Sequence, residues 1–169
     1  RPDVAVIVAT LKSLEFHGGY RSGGGWDNLS RHIDNVRQFG VTPVVAINRF
    51  HTDTDSEISV AQRHAMAAGA KAAPEVRAFL EGGDGSVELA EAVTEVATAN
   101  HNPSVSYIYP PDAPVEEKVM ALAREVYGAS DVNWSPTARR RLRLFESLGW
   151  GNLPVCMAKT PLSISHDPT

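Results

Sequence analysis

Only one cysteine, Cys156, stands among the 169 residues, so no internal disulfide can form. It lies in the apolar run Leu153–Ala158, where a buried strand thiol is expected rather than a nucleophile. No His-x-x-x-His or Cys-x-x-Cys pair occurs, which argues against a transition-metal site. No apolar run approaches the roughly 20 residues that a bilayer crossing needs, and the start has no charged-then-apolar leader pattern. A cytoplasmic protein without a membrane partner is expected. Charge of one sign is scarce too: 16 Lys and Arg against 20 Asp and Glu give a net charge of −4, with both signs dispersed. That excludes a broad basic field for nucleic acid. The local cluster Arg139-Arg140-Arg141 with Arg143 reads as a solvated helix face. No G-x-x-x-x-G-K-[ST] pattern occurs anywhere, so a phosphate-cradling loop of that kind is missing.

What is present is a regular alternation of short β-branched runs with helical patterns. Val4–Thr10 and Val41–Asn48 are nearly all apolar, as expected of strands covered on both faces. Between them Leu29, Ile33, Val36 and Phe39 line one helical face, and Gly40 ends the helix. Such a strand–helix–strand unit crosses over right-handed between parallel neighbours. Leu11–Phe16 reads as a turn. The acids and hydroxyls of Asp53–Glu57 suit the start of a helix reaching about Ala68. Glu75–Phe79 and Val105–Tyr109 read as short strands, separated by the loop Gly82-Gly83-Asp84-Gly85 and a helix from Ser86 to about Ala99. Pro110 to Pro114 positions a helix over Val115–Tyr127, Ser135-Pro136 starts another over Thr137–Leu148, and Leu153–Ala158 is a last strand. The expected class is α/β, a mostly parallel sheet flanked by helices. A chain of this length can bury about 70% of its unfolded surface, so one domain is the default.

The candidate chemistry sits where strands end, because ligands of open parallel sheets collect at the carboxyl edge. Ala46-Ile47-Asn48-Arg49-Phe50-His51-Thr52-Asp53 leaves an apolar run abruptly for polar groups. Phe50 can fold into the core or project as a flat wall for a ring-shaped ligand. Asn48 and Asp53 invite comparison with Asn-Lys-x-Asp readers of guanine, but His51 and Arg49 break that spacing. Asp53 can instead cap the next helix or bind a cation. Thr10, at the end of the first strand, precedes His17-Gly18-Gly19, whose backbone amides can approach an anion closely; an ordinary glycine-closed turn is the alternative. Lys159, after the last strand, can meet a phosphate or carboxylate or form a structural ion pair.

These segments carry a family resemblance. Ala46–Thr54, Val8-Ala9-Thr10 through His17-Gly18-Gly19, Gly82-Gly83-Asp84-Gly85 running into Glu88-Leu89-Ala90, and Gly151-Asn152-Leu153-Pro154-Val155-Cys156-Met157-Ala158-Lys159-Thr160 occur in the order found in formate–tetrahydrofolate ligases (formyltetrahydrofolate synthetases), which the chain resembles over nearly its whole length. The resemblance implies a P-loop-NTPase-like three-layer architecture, incomplete here, with residues 1–169 as a single α/β segment of a longer ligase that lacks the phosphate loop. It implies formate, tetrahydrofolate and ATP with Mg as substrates and cofactors. Phe50 and Phe79 would then stack the pterin, Phe79 replacing the usual Trp. Thr10, His17, Gly18 and Gly19 would line the catalytic pocket for formyl phosphate, and Asn48 and Lys159 would belong to the substrate site. Tyr20–Asp27 is shorter and richer in glycine than the insertion usual at that place. The resemblance leaves the oligomeric state open, a homo-oligomer included. It implies that the isolated chain does not turn over. A folate-binding or interaction module of the same fold and a different P-loop-type ATPase are the competing readings.

Overall fold

Thr42–Asn48, the most thoroughly buried stretch of the chain, becomes the middle strand (β2) of a three-stranded parallel sheet. The computed structural model describes residues 2–18, 24–99, 106–157 and 164, which fall into two units, Arg1–Ser106 and Tyr107–Thr169. In the first unit β1 (Val4–Ala9) pairs with β2 from Val4↔Thr42 to Ala9↔Ile47, and the short β3 (Glu75–Val76) pairs with its other edge through Ile47↔Glu75 and Asn48↔Val76. Pro43 has no N–H to give, but it sits where the β3-side ladder is only beginning, and its carbonyl accepts from the Lys71 N–H at 2.8 Å. The α/β class and the parallel sheet flanked by helices are as expected.

Three helices bury one face of this sheet. They are α1 (Leu11–Phe16), α2 (Gly24–Gln38) and α3 (Asp55–Ala67). Their Leu11, Leu14, Leu29, Ile33, Ile58, Ala61 and Ala65 join Ala9, Val45 and Ile47 in one apolar cluster. Val44 and Ala46, which point to the other face by strand alternation, are buried as well. Helix α5 (Val87–Ala99) packs against all three strands and buries Val96. The indole of Trp26 on α2 stacks on the His64 imidazole of α3, with centroids 4.2 Å apart and planes 4° from parallel. Toward the edge of the sheet cover thins, and Val8 on β1 is 67% exposed.

Several expected boundaries move, each for a local reason. Leu11–Phe16 is helical rather than a turn, because Thr10 and Ser13 form a reciprocal capping box that starts the helix. The expected strand Glu75–Phe79 ends after Val76, where Arg77 bonds the glycine loop and the chain turns into α4 (Ala78–Glu81). Ser86 is no N-cap; it closes a 3-10 turn, Asp84–Ser86, that runs straight into α5. Of the expected strand at 105–109, the described residues 106–109 are not extended into a sheet.

In the second unit α6 (Val115–Glu125) and α7 (Pro136–Ser147) pack together. Ser135 caps α7 by accepting from the Ala138 N–H at 3.1 Å, with Pro136 in the first turn. The arginines 139, 140, 141 and 143 are exposed on α7, as expected. Residues 153–157 form no strand, a correction to the sequence expectation. Cys156, expected to be buried, is consequently exposed. Cross-links from side chains hold this segment in place of a ladder. The Lys118 ammonium, fully buried on α6, donates to the Gly151 carbonyl at 2.8 Å and the Leu153 carbonyl at 3.2 Å, and the Tyr109 hydroxyl accepts from the Val155 N–H at 2.9 Å.

Two substitutions test this packing. Ile33→Ala, at a position with no exposure, should cost about 3 kcal/mol in urea unfolding, whereas Val8→Ala should cost under about 1 kcal/mol; equal costs would contradict the placement of the core. Lys118→Ala should cost roughly 2–4 kcal/mol in the unfolding of the second unit, since it leaves a void and two carbonyls without their donor.

Candidate functional site

At the carboxyl end of β2 the chain makes a tight turn closed by one carboxylate. The Phe50 N–H donates to Asp53 Oδ2 at 2.8 Å, and the Asp53 N–H donates back to the Phe50 carbonyl at 3.0 Å. Asp53 is buried, as a side chain that organises backbone must be. The capping that sequence offered to Asp53 falls to Thr54, whose hydroxyl accepts from the Glu57 N–H at 3.3 Å while Glu57 Oε2 accepts from the Thr54 N–H at 3.0 Å. The backbone between these two bonds presents the Phe50 ring, 37% exposed, at the surface.

Arg49 fixes the same turn from the side. Its Nη2 donates to the Asp53 carbonyl at 2.8 Å, and its Nη1 reaches Asp55 Oδ1 at 2.7 Å and Glu75 Oε1 at 3.1 Å. Glu75 also receives the Arg77 Nε–H, and Arg77 Nη1 lies 3.5 Å from Glu81 Oε1 on α4. Burial pushes the Glu75 carboxyl up, but the hydrogen bonds from Arg77 and Arg49, reinforced by both charges, outweigh it and hold the group below the usual carboxylate range. The bonds to Asp55 and then Glu75 raise the Arg49 guanidinium above its already high value. Beside this chain of charges lies a cavity of about 230 Å³, lined by Glu75, Arg77, Glu81, Asp84, Gly85 and Glu88. Phe79, on α4, is 93% exposed.

The candidate residues near the end of β1 gather around α1. The Thr10 hydroxyl accepts from the Ser13 N–H at 3.0 Å, and Ser13 Oγ accepts from the Thr10 N–H at 3.2 Å, so Thr10 serves as the N-cap and keeps its own proton to donate. His17 is the C-cap, half-buried, with Phe16 edge-on at 5.0 Å between centroids. Burial, and then the charge of His17, lower the His32 imidazole below its ordinary value. Gly18 is exposed at the end of α1. From the middle of the same helix Lys12 places its ammonium 4.2 Å above the centroid of Phe50. Thr10 and Asn48 follow or end neighbouring strands, and Lys12 ties α1 to Phe50, with Asn48 half-buried as the last residue of β2; His17 and Gly18 lie at the far end of α1. The Phe79 turn connects to the Phe50 turn through Glu75. Gly19 and Lys159 lie outside the described residues.

Sequence reading passed over Lys12, Arg49, Glu75 and Arg77. Arg49 carried a faint signal, a charge just after an apolar strand, and Glu75 another, a charge at the start of an expected strand. Lys12 carried none while its segment read as a turn. Among the described residues, no cluster of three or more His, Cys, Asp or Glu side chains is placed to hold a metal ion, and no helix is long and apolar enough to cross a membrane.

Comparison with known proteins agrees with the motifs that converge here. The sequence model of the formate–tetrahydrofolate ligase family matches residues 1–169. The formate–tetrahydrofolate ligase of Desulforamulus reducens is 40% identical over 187 residues, a match that covers 99% of this chain and 33% of that protein. The chain thus spans about a third of the relative's length. The aligned stretch is longer than the 169 residues here, so the relative carries positions that this chain lacks. With its whole length matched by the family and its strand-end loops built from the family's motifs, this chain belongs to the formate–tetrahydrofolate ligase family.

Proposed function

We propose that these residues form the folate wall and one side of the formyl phosphate pocket of an ATP-dependent ligase that makes 10-formyltetrahydrofolate. The observation that carries this reading is the pair of solvent-facing rings, Phe50 and Phe79, presented on two turns at the carboxyl edge of a parallel sheet in a chain of this family. No ring contact joins the two to each other among the described residues; Phe79 is almost fully open, and Phe50 carries the Lys12 ammonium over one face. Lys12 stands over Phe50, which puts a positive charge beside the region where Thr10, His17 and Gly18 lie. A cation there suits an anionic substrate such as formate or formyl phosphate.

In the proposed reaction a formate oxygen attacks the γ-phosphorus of ATP and ADP leaves. N10 of tetrahydrofolate then attacks the formyl carbon and phosphate leaves. Positioning and charge neutralisation carry such transfers. The part of these residues is to stack the pterin on Phe50 and Phe79, to offer the Thr10 hydroxyl and the Gly18-Gly19 backbone to the acyl phosphate, and to engage substrate carboxylates through Lys159. The grip on Mg-ATP is assigned to the remainder of the ligase, because no G-x-x-x-x-G-K-[ST] pattern occurs in this chain. A cytoplasmic setting and small-molecule partners belong to the same reading. So does the proposal that the two units are parts of one longer P-loop-like ligase fold.

Titration of the chain with tetrahydrofolate, followed by fluorescence, tests the wall. Phe50→Ala and Phe79→Ala should each weaken binding roughly tenfold, and Phe79→Trp should tighten it, since an indole offers a larger face and an N–H. Unchanged affinity in both alanine variants would remove the stacking role. Residues 1–169 alone should show no ATP-dependent formylation above a blank; turnover would mean the phosphate site lies within this chain, and folate binding without turnover even when the rest of a ligase is added would favour a binding module.

A further inference from the structure

The two turns that present Phe50 and Phe79 are joined by charges rather than by apolar packing. Arg49 holds three oxygens at once: the Asp53 carbonyl at 2.8 Å, Asp55 Oδ1 at 2.7 Å and Glu75 Oε1 at 3.1 Å. The first two belong to the Phe50 turn and the helix start after it; the third is on β3. Glu75 passes the link on to the Arg77 Nε–H, and Arg77 reaches Glu81 at the far end of the short helix that carries Phe79. The backbone repeats this path. The Arg49 N–H donates to the Val76 carbonyl at 3.0 Å, and the Arg77 N–H donates to the Gly85 carbonyl at 2.8 Å. A Cβ at Gly85 would lie 2.6 Å from the Arg77 carbonyl carbon and 2.7 Å from its oxygen, so the glycine loop is pressed directly onto a member of the ion-pair chain.

Burial grades the members. The Arg49 and Glu75 side chains are only 18% and 20% exposed, so that pair is partly shielded from water, whereas Arg77 and Glu81 are half-open. An exposed pair contributes little by itself, but Glu75 is shared: neutralising it weakens the side-chain links to Arg49 and to Arg77 together and leaves only the backbone bonds to hold the two turns. Phe79 is 93% exposed and so is not held by packing, and Phe50 keeps 37% of its surface open. Their relative placement therefore depends on the geometry of this polar link.

We propose that Arg49, Glu75 and Arg77 are positioning residues that fix the Phe50 turn against the Phe79 turn, and so set how the two rings are presented to a flat heterocycle. The proposal rests on the folate-wall reading of those rings. It adds that the specificity of the wall is set by a shared carboxylate which touches neither ring.

Hydrogen exchange and ligand titration on the chain separate the two ideas. In Glu75→Gln, exchange at the Arg49 and Arg77 amides should quicken about tenfold while the Val45 and Ile47 amides of the sheet keep their protection. Tetrahydrofolate binding should weaken about fivefold in each of Arg49→Met and Arg77→Met, and in the double variant by no more than in either alone, because one break already severs the same chain. Unaltered exchange at both amides, or independent effects that multiply in the double variant, would overturn the proposal. So would normal folate affinity in Glu75→Gln while Phe50→Ala still weakens binding, a result that leaves the wall standing without its brace. If Phe50→Ala and Phe79→Ala are themselves silent, the folate reading falls and this proposal falls with it.

Discussion

Everything at the candidate site depends on β2 being hydrogen-bonded along both edges and closed off above and below. A strand with Val44, Val45, Ala46 and Ile47 sealed in this way cannot slip, because a shift of one residue would turn each buried side chain toward the opposite face. The same rule governs β3, although only two of its residues pair. The register Ile47↔Glu75 puts the carboxylate within reach of Arg49, and Asn48↔Val76 lets the Arg49 N–H close the ladder on Val76. A slip would carry Glu75 to the other side of the sheet and leave both arginines without their common partner. Apolar burial thus fixes the address of the charges.

The short helix α1 extends the same logic to the other strand end. It begins because Thr10 and Ser13 satisfy each other's backbone, and Leu11 and Leu14 anchor it in the core. That orientation leaves Lys12 on the side facing Phe50. The ends of β1 and β2 are neighbours in a parallel sheet, so one turn of helix suffices to bring a cation over an aromatic that is 38 positions away in sequence. Two local capping boxes, at Thr10 and at Thr54, frame the region and set the direction in which each following helix leaves.

The sheet and its helices were legible because burial leaves a periodic trace. Val4–Thr10 and Val41–Asn48 showed nearly continuous apolar runs, and Leu29, Ile33, Val36 and Phe39 showed a helical stripe, of which Phe39 falls just beyond the end of α2. The strand ends were legible as places, and the family was legible from motif order. The detailed partners were not. Asp53 read as a cap or a cation ligand, yet it bonds the backbone of Phe50, since local spacing alone does not say which N–H a buried carboxylate will meet. Leu11–Phe16 read as a turn because six residues carry too little periodicity to reveal a helix whose start is set by a reciprocal cap. The run Leu153–Ala158 read as a strand and Cys156 as buried; apolar composition was taken for sheet where residues 153–157 are held by side-chain bonds to Lys118 and Tyr109. Glu75 gained its importance from two arginines, one 26 positions before it, a pairing only the fold creates.

The sealed ammonium of Lys118 gives the second unit a natural chemical reporter. Lys12 and Lys71 lie open to solvent, whereas Lys118 spends its protons on main-chain oxygens and shows no surface at all. An amine-acylating reagent would therefore modify the outer lysines of the native protein freely and reach this one only when α6 parts from the Gly151–Leu153 segment. The extent of labelling at that single nitrogen would count the openings of the unit directly, without any dye or engineered probe.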